Sequence, residues 1–508
     1  MAKPSFQAPK GTRDLYPEDM LRRRYLTQTW RDTAIRHGFE QIDGPTFEMS
    51  KLYAVKSGEG ILGELFQAFN GKNPEQVAEV QKEGRAPLAL RPEFTPTGSR
   101  LFASAAGQLR RPTRWFNIGS RFRAERPQRG RLNEFLQFDC DVIGDDESPA
   151  GRAAADAACI FTAVDTLREL GLTRHDVTIE RNDRARVEYM FRQCGIPRAK
   201  FEAWFLLADK SAKINREEFI LQAIELGFEQ DGADWMHTFF TAITYPEMPA
   251  SLKALTETEA KELHDEFRIK VGNASHRLDQ LFKNVDLWQW QRVNPSIVRG
   301  LAYYTGTVFE VIAEGERAVA GGGRYDNLVE LLGGPATPAV GFAMGDVVLS
   351  LLLEDKGLMP EGRELMEAVS RPPASVRPDV FVFSGAAKDE DESIAAELDR
   401  AVTRLCADAR RGVASAAYEQ GEARPWSAER YDVAPLHART TDKATRNLKK
   451  LLTDAEKQHA RFAAIVHEPD KVQLKDLDRR EDVPEDFSVD PGSEKYVGRA
   501  VAERLGRG

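Results

Sequence analysis

Apolar positions along the chain fall into helical, alternating and irregular stretches. Between Pro17 and His37 they recur at helical spacing, with Leu21, Tyr25, Thr29, Ala34 and Ile35 on one face, Pro17 suiting a helix start and Gly38 a stop. FEQIDGPTFE (39–48) alternates toward a strand, and Pro45 favours an edge or interface position for it. LALRPEFTPTGSRLFASAA (88–106) predicts a strand running into a helix. RPTRWFNIGSRFRAE and NEFLQFDCDVIG predict two strands, joined by ERPQRGR as a hairpin-like loop. Residues 151–171 are Ala-rich and helical, and residues 195–285 are mostly helical and charge-rich.

From Ile297 the texture turns aromatic and β-branched, predicting strands through IVRGLAYYTGTVFEVIAE. AVAGGGRYDNLVELLGG predicts a Gly-rich turn before a short helix, and PAVGFAMGDVVLSLLLEDKG a strand entering a helix. SRPPASVRPD (370–379) suits a linker. Beyond it a β/α/β/α/β order predicts a small α/β unit. The expected fold class is α+β. An antiparallel-rich body spans 1–194 and 286–369, a helical insertion 195–285, and an α/β tail 378–508.

Composition narrows the class. The chain has 508 residues, enough for several domains, with 42% hydrophobic and 30% charged residues, as in soluble globular proteins. It has no apolar run of spanning length, so no membrane partner is expected, and the polar N-terminal stretch lacks a secretory pattern. Cys140, Cys159, Cys194 and Cys406 are too scattered for a metal motif or a disulfide framework, so no metal ligands are assigned and a cytoplasmic location is expected. The net charge of −9 confines any nucleic-acid contact to local patches.

The densest chemistry lies in RFRAERPQRGRLNEF (121–135). Arginine's planar fork pairs with phosphate oxygens in two-point fashion. Arg123 at the end of one strand and Arg131 at the start of the next can face one pocket, with Glu125 on the same strand face and Phe135 offering a ring. Together they suit a nucleotide: arginines for phosphates, a carboxylate for an amino group, a ring for a base. Taken alone, the same residues also read as a solvated surface hairpin.

The surrounding pattern resembles class II aminoacyl-tRNA synthetases, specifically the histidine–tRNA ligase family. The resemblance is carried by KGTRDLYPED, GFEQIDGPTFE, LRPEFTPTGSR, FRAERPQRGRLNEFLQFDCDVIG, RGLAYYTGTVFEV, AGGGRYDNLV and GFAMG. It implies a class II catalytic body with a C-terminal anticodon-binding domain, and adenylation of L-histidine by ATP with Mg²⁺, followed by transfer to tRNA(His). Arg123 and Arg299 would be catalytic across the α-phosphate. Arg131 would hold the outer phosphates, Glu125 the adenine amino group and Phe135 the ring. Glu93 and Thr95 would hold histidine's amino group, with Phe94 between them in the histidine-binding set. Gln137, Asp141, Arg299, Tyr303, Tyr304, Gly321, Gly322 and Gly323 would complete the histidine pocket. Lys443, Arg446, Lys449, Lys450 and Lys457 would face anticodon-stem phosphates, and a homodimer follows by analogy. Singly, each has a bland reading: a strand aromatic, a turn glycine, a surface charge.

Two positions depart from the pattern. Val348 stands where a third-motif arginine is expected, so either Arg131, Arg324 or a metal ion carries the γ-phosphate or ATP binds more weakly, and Ala302 replaces an expected acid. The alternative reading is a regulatory relative, of the ATP phosphoribosyltransferase regulatory subunit type, that binds histidine without charging tRNA.

Overall fold

The computed structural model describes residues 7–57, 59–211, 214–242, 246–298, 303–315, 317–387, 390–442 and 445–507. Eight strands form the main sheet: β1 (Glu40–Gln41), β2 (Thr113–Phe122), β3 (Glu134–Ile143), β4 (Val177–Asp183), β5 (Gln291–Val293), β6 (Thr307–Ala313), β7 (Ala320–Arg324) and β8 (Ala339–Gly345). Their spatial order is β1-β2-β3-β8-β7-β6-β4-β5. The edge pairs β1/β2 and β4/β5 are parallel and the other pairs antiparallel. A smaller sheet pairs Phe47–Met49 and Gln67–Ala68 with Leu88–Leu90.

Strand alternation divides β3 into two faces. Leu136, Phe138, Cys140 and Val142 point into the main core, where Phe138 stacks on Trp30 of α1 (Pro17–Arg36) at 5.6 Å. The buried side of α1 thus runs through Leu26 and Trp30 as well as the expected Tyr25, Ala34 and Ile35. α2 (Thr95–Ala105) follows the small sheet. α3 (Pro149–Glu169) packs on the same core and starts where the Ser148 hydroxyl accepts from the Gly151 amide at 3.0 Å.

Three local expectations are corrected. β2 ends at Phe122 and β3 begins at Glu134, so Arg123, Glu125 and Arg131 all lie in the connecting loop. Gly321–Gly323 are interior to β7, not a turn, because flanking strands pair with them on both sides. Tyr303 and Tyr304 precede β6, which starts at Thr307.

A largely helical region follows β4: α4 (Arg184–Gln193), α5 (Phe201–Lys210), α6 (Arg216–Glu225), α7 (Gln230–Thr241), α8 (Glu257–Phe267) and α9 (Asn273–Asn284). Phe191, Trp204, Phe219, Met236 and Phe240 form a core of their own. α9 instead sends Leu278 and Phe282 into the main core, with the Phe282 ring edge-on to Phe161 at 5.2 Å. After β8 come α10 (Asp346–Asp355) and α11 (Gly362–Val369).

The C-terminal sheet has strands β9 (Val380–Ser384), β10 (Ala438–Thr440), β11 (Phe462–Glu468), β12 (Lys471–Asp476) and β13 (Glu481–Phe487), in order β10-β9-β11-β12-β13. The first three are parallel, as the β/α alternation requires, and α12 (Glu392–Arg411) and α13 (Leu448–Lys457) connect them. The acidic end of the chain packs, burying Phe487 and Tyr496. No described helix is long and apolar enough to cross a membrane.

Candidate functional site

The other face of β3 carries Phe135, Gln137, Asp139 and Asp141. Register sets small residues beside them on the β8 side: Gln137 lies between Gly119 and Gly345, Asp139 between Asn117 and Ala343, and Asp141 between Trp115 and Gly341. The row continues onto β7, where Gly321 pairs with Ala343 and Gly323 with Gly341. The result is a sheet face nearly bare of side chains across β8 and β7, with a line of polar groups along β3 beside it. Gly322 points the other way, so of the three glycines expected in the pocket, Gly321 and Gly323 share this face and Gly322 faces the core.

Arg121 holds one end of the polar line. Fully buried, it donates to Asp139 at 2.8 Å and to the side-chain Oδ1 of Asn117 at 2.6 Å. Gln137 donates to the other Asp139 oxygen at 2.6 Å. Burial pushes the Asp139 carboxyl up; Arg121 opposes this, and the nearby negative charge of Glu93 adds to it. Glu93 therefore lies close to this cluster. Phe94 does not open onto ligand space: it is buried, with the Arg121 and Arg91 guanidiniums 5.2 and 5.7 Å from its ring centre, and supports the floor. Thr95 is the half-buried first residue of α2.

Aromatic rings close the other end. The Tyr325 hydroxyl donates to Asp141. Tyr303 and Tyr304 lie ring to ring at 4.2 Å, and Tyr303 stands 6.4 Å from Tyr325. A Cβ on Gly323 would come within 2.8 Å of the Tyr304 ring, so glycine is what lets that ring settle against the sheet. Arg299 and Ala302 lie outside the described residues.

Beside this floor opens a cleft of about 380 Å³, lined by Arg123, Arg131, Phe135, Gln137, Gly321 and Val348 among others. It brings the expected nucleotide arginines and ring together. Arg123 donates to the Pro92 carbonyl at 3.2 Å, and its guanidinium carbon sits 5.0 Å from the centre of the Phe135 ring. Glu125 pairs with Arg131, so the carboxylate and the cation expected at opposite ends of a nucleotide neutralise each other here. The pair is partly exposed, and separating it costs little, under about 1 kcal/mol.

The sequence profile of the family described as "Histidyl-tRNA synthetase" matches residues 11–346, which contain the polar line on β3 and all of the cleft lining but Val347 and Val348. The chain belongs to that family. The histidine–tRNA ligase of Opitutus terrae is 36% identical over 363 residues, covering 70% of this chain and 76% of that protein. A histidyl-tRNA synthetase structure from Nostoc sp. PCC 7120 aligns over 99% of this chain and all of its own, with a TM-score of 0.52 and 20% identity. A Bacillus halodurans C structure described as an ATP phosphoribosyltransferase regulatory subunit/histidyl-tRNA synthetase aligns over 89% of this chain and 97% of its own, with a TM-score of 0.52 and 18% identity. The fold alone is therefore common to synthetase and regulatory relatives.

Within the family pattern, Val348 is not a gap. It is buried in the main core and reaches toward Gly130, where a Cβ would lie 3.3 Å from its methyl. Gly130 itself holds a positive φ of 75° in the arginine loop. Arg324 is unavailable as a substitute cation: it is buried, with Asp145 and Asp156 each at 2.7 Å and Asp326 at 3.2 Å. Arg317 is the cation that sequence reasoning missed. It lines the same cleft, its Cδ 3.5 Å from where a Gly130 Cβ would lie, and it is exposed without a hydrogen bond or ion pair among the described residues. No motif marks it. Arg121, Asp139 and Tyr325 were also missed; the period-two spacing of Arg121 from Arg123, and of Asp139 from Gln137 and Asp141, was the available signal.

Proposed function

We propose that the chain acts as its family does, attaching L-histidine to tRNA(His) at the expense of ATP through a histidyl-adenylate. The observation that carries this reading is the glycine-floored sheet face with its line of Gln137, Asp139 and Asp141, opening directly into an arginine-lined cleft. An imidazole bound between Asp141 and the tyrosines, with its amino group toward Glu93 and Thr95, would point its carboxylate at the cleft. That carboxylate attacks the α-phosphorus, the bond to the β-phosphate oxygen breaks, and pyrophosphate leaves. The terminal ribose hydroxyl of tRNA then attacks the adenylate carbonyl and releases AMP.

In this reading Arg123 and Arg299 stabilise the charge growing on the α-phosphoryl oxygens, a contribution of about 3 kcal/mol per fixed donor. Arg131, freed from Glu125, and Arg317 take the outer phosphates; Glu125 receives the adenine amino group and Phe135 the ring. Mg²⁺ would arrive on the phosphates as part of the substrate. Among the described residues no cluster of three or more His, Cys, Asp or Glu side chains offers a resident metal site.

The proposed organisation is a catalytic body (1–194 and 286–369), a helical insertion (195–285) and an anticodon-binding tail (378–508); three largely separate cores support three units, with α4 packing in the insertion's core and α9 in the body's. Arg446, Lys449, Lys450 and Lys457 are exposed and suit anticodon-stem phosphates, while Lys443 lies outside the described residues. A homodimer is supported by the exposure of Phe47 (54%) and Met49 (62%) beside Phe66 and Phe69 on the small sheet. The proposed location is the cytoplasm.

Amino-acid-dependent ATP–pyrophosphate exchange, run with each of the twenty amino acids, tests the activity. Exchange with histidine alone is expected. Histidine binding without exchange would instead favour the regulatory reading.

A further inference from the structure

The tail meets the body around a second cavity, of about 560 Å³, which shares no lining residue with the cleft. Its walls come from α1, α3 and the segment after α9 on the body side, and from α12 and the chain after it on the tail side. Seven arginines line it against four carboxylates.

Those carboxylates are largely committed. Asp165 takes Arg411 at 2.9 Å and His37 at 3.0 Å. Glu169 takes Arg36 at 3.1 Å, Arg430 at 3.4 Å and the Tyr431 hydroxyl at 2.7 Å. Asp408 is the exception: its Oδ2 is shielded from solvent without a hydrogen-bond partner, 3.7 Å from Arg404 and within the field of Arg411 and Arg168, and Asp286 is exposed. What remains is cationic and under-bonded. Arg168 has no side-chain hydrogen bond or ion pair among the described residues, and Arg410 donates only to the Ala438 carbonyl, at 2.9 Å. Arg36 Nε, Arg411 Nη2 and Arg430 Nε are shielded from solvent with no acceptor. Burial and the repulsion of neighbouring guanidiniums hold both Arg168 and Arg410 below the usual arginine range. Buried donors without acceptors and a surplus of like charge over its counterions are costly to a fold, and a bound anion relieves both.

We propose that this cavity binds a small phosphate-bearing anion, of orthophosphate or pyrophosphate size, which bridges Arg168 and the tail arginines Arg410 and Arg411 and so clamps the tail to the body. A phosphate group suits it better than a carboxylate. It presents oxygens in several directions to guanidiniums from both walls, and carries enough charge to match the surplus.

Calorimetric titration of the full chain with inorganic pyrophosphate and with orthophosphate, at constant ionic strength, tests this. Arg168→Gln, Arg410→Gln and Arg123→Ala are compared with the parent protein. Pyrophosphate is also a product at the proposed active cleft, so Arg123→Ala separates the two sites. At least tenfold weaker binding in Arg168→Gln and Arg410→Gln, with binding retained in Arg123→Ala, is the expected result. Unchanged binding in the two junction variants, or loss confined to Arg123→Ala, would overturn the proposal. A second readout is the melting temperature in anion-free buffer. Removing an unpaired buried cation should leave Arg168→Gln at least as stable as the parent, and a drop would show that Arg168 serves the fold and not a ligand. Histidine-dependent exchange in Arg168→Gln reports separately on the active cleft.

Discussion

His37 closes α1 at the body–tail junction, buried against Asp165 of α3 at 3.0 Å. Burial pushes its pKa from 6.5 down to about 4, against the pull of the Asp165 carboxylate and with further repulsion from Arg410 and Arg36. Burial wins because Asp165 is already balanced by Arg411 at 2.9 Å, which helps hold that carboxyl well below its usual range. The folded protein thus prefers the neutral imidazole. The stability this contributes is complete above pH 6.5 and is lost as pH falls toward 4. At about 1.4 kcal/mol per pH unit of displacement, acidification from pH 7.5 to 4 removes about 3 kcal/mol through this one group. His37→Gln keeps a donor for Asp165 but does not titrate, so it should cost about 1 kcal/mol at pH 7.5 and lose about 3 kcal/mol less than the parent on acidification. Urea unfolding followed by tryptophan fluorescence at several pH values measures this, with buried Trp30 on the same helix. A variant with the same pH dependence as the parent would refute the reasoning.

Other consequences can be checked directly. Arg123→Ala should lower kcat for histidine-dependent exchange by roughly a hundredfold or more, as expected for loss of a donor to the developing phosphoryl charge. Arg317→Ala should raise KM for ATP by roughly tenfold while leaving KM for histidine little changed, the equivalent of one charge-assisted hydrogen bond of about 1.5 kcal/mol; steady-state exchange separates the two constants. Gly323→Ala places a methyl 2.8 Å from both the Tyr304 ring and the Thr307 carbonyl oxygen, so KM for histidine should rise at least tenfold, with less effect on ATP. Asp346→Ala removes the acceptor of the Leu136 amide, bonded at 2.8 Å, and the partner of Arg13, which should lower stability by about 1–3 kcal/mol in thermal or urea unfolding.

Much of this molecule was legible in short stretches of sequence. Apolar runs and the Gly and Pro residues that bound them located α1, β2, β3, β8, α10 and the parallel tail strands, although β3, β8 and the tail strands β9 and β11 are buried on both faces. The arginine loop advertised itself by charge density, and Arg123, Arg131 and Phe135 do share a cleft. Local pattern failed where a neighbour decides conformation. Gly321–Gly323 carry a turn signal, yet two flanking strands draw them into β7. Arg131 and Glu125 were assigned to opposite ends of a ligand, yet without one they pair with each other.

The family, the order of elements and the residue types available for phosphate and histidine chemistry were all written in the chain, since motifs and periodicity are properties of neighbouring positions. Which groups meet was settled by folding. It set Asp139 on Arg121 and Asp141 on Tyr325, consumed Arg324 in an acidic cluster, and brought Arg317 to the side of Val348. It also gathered seven arginines from distant segments around the junction cavity. These pairings join residues up to hundreds of positions apart, and electrostatics acts across space with no trace in local spacing.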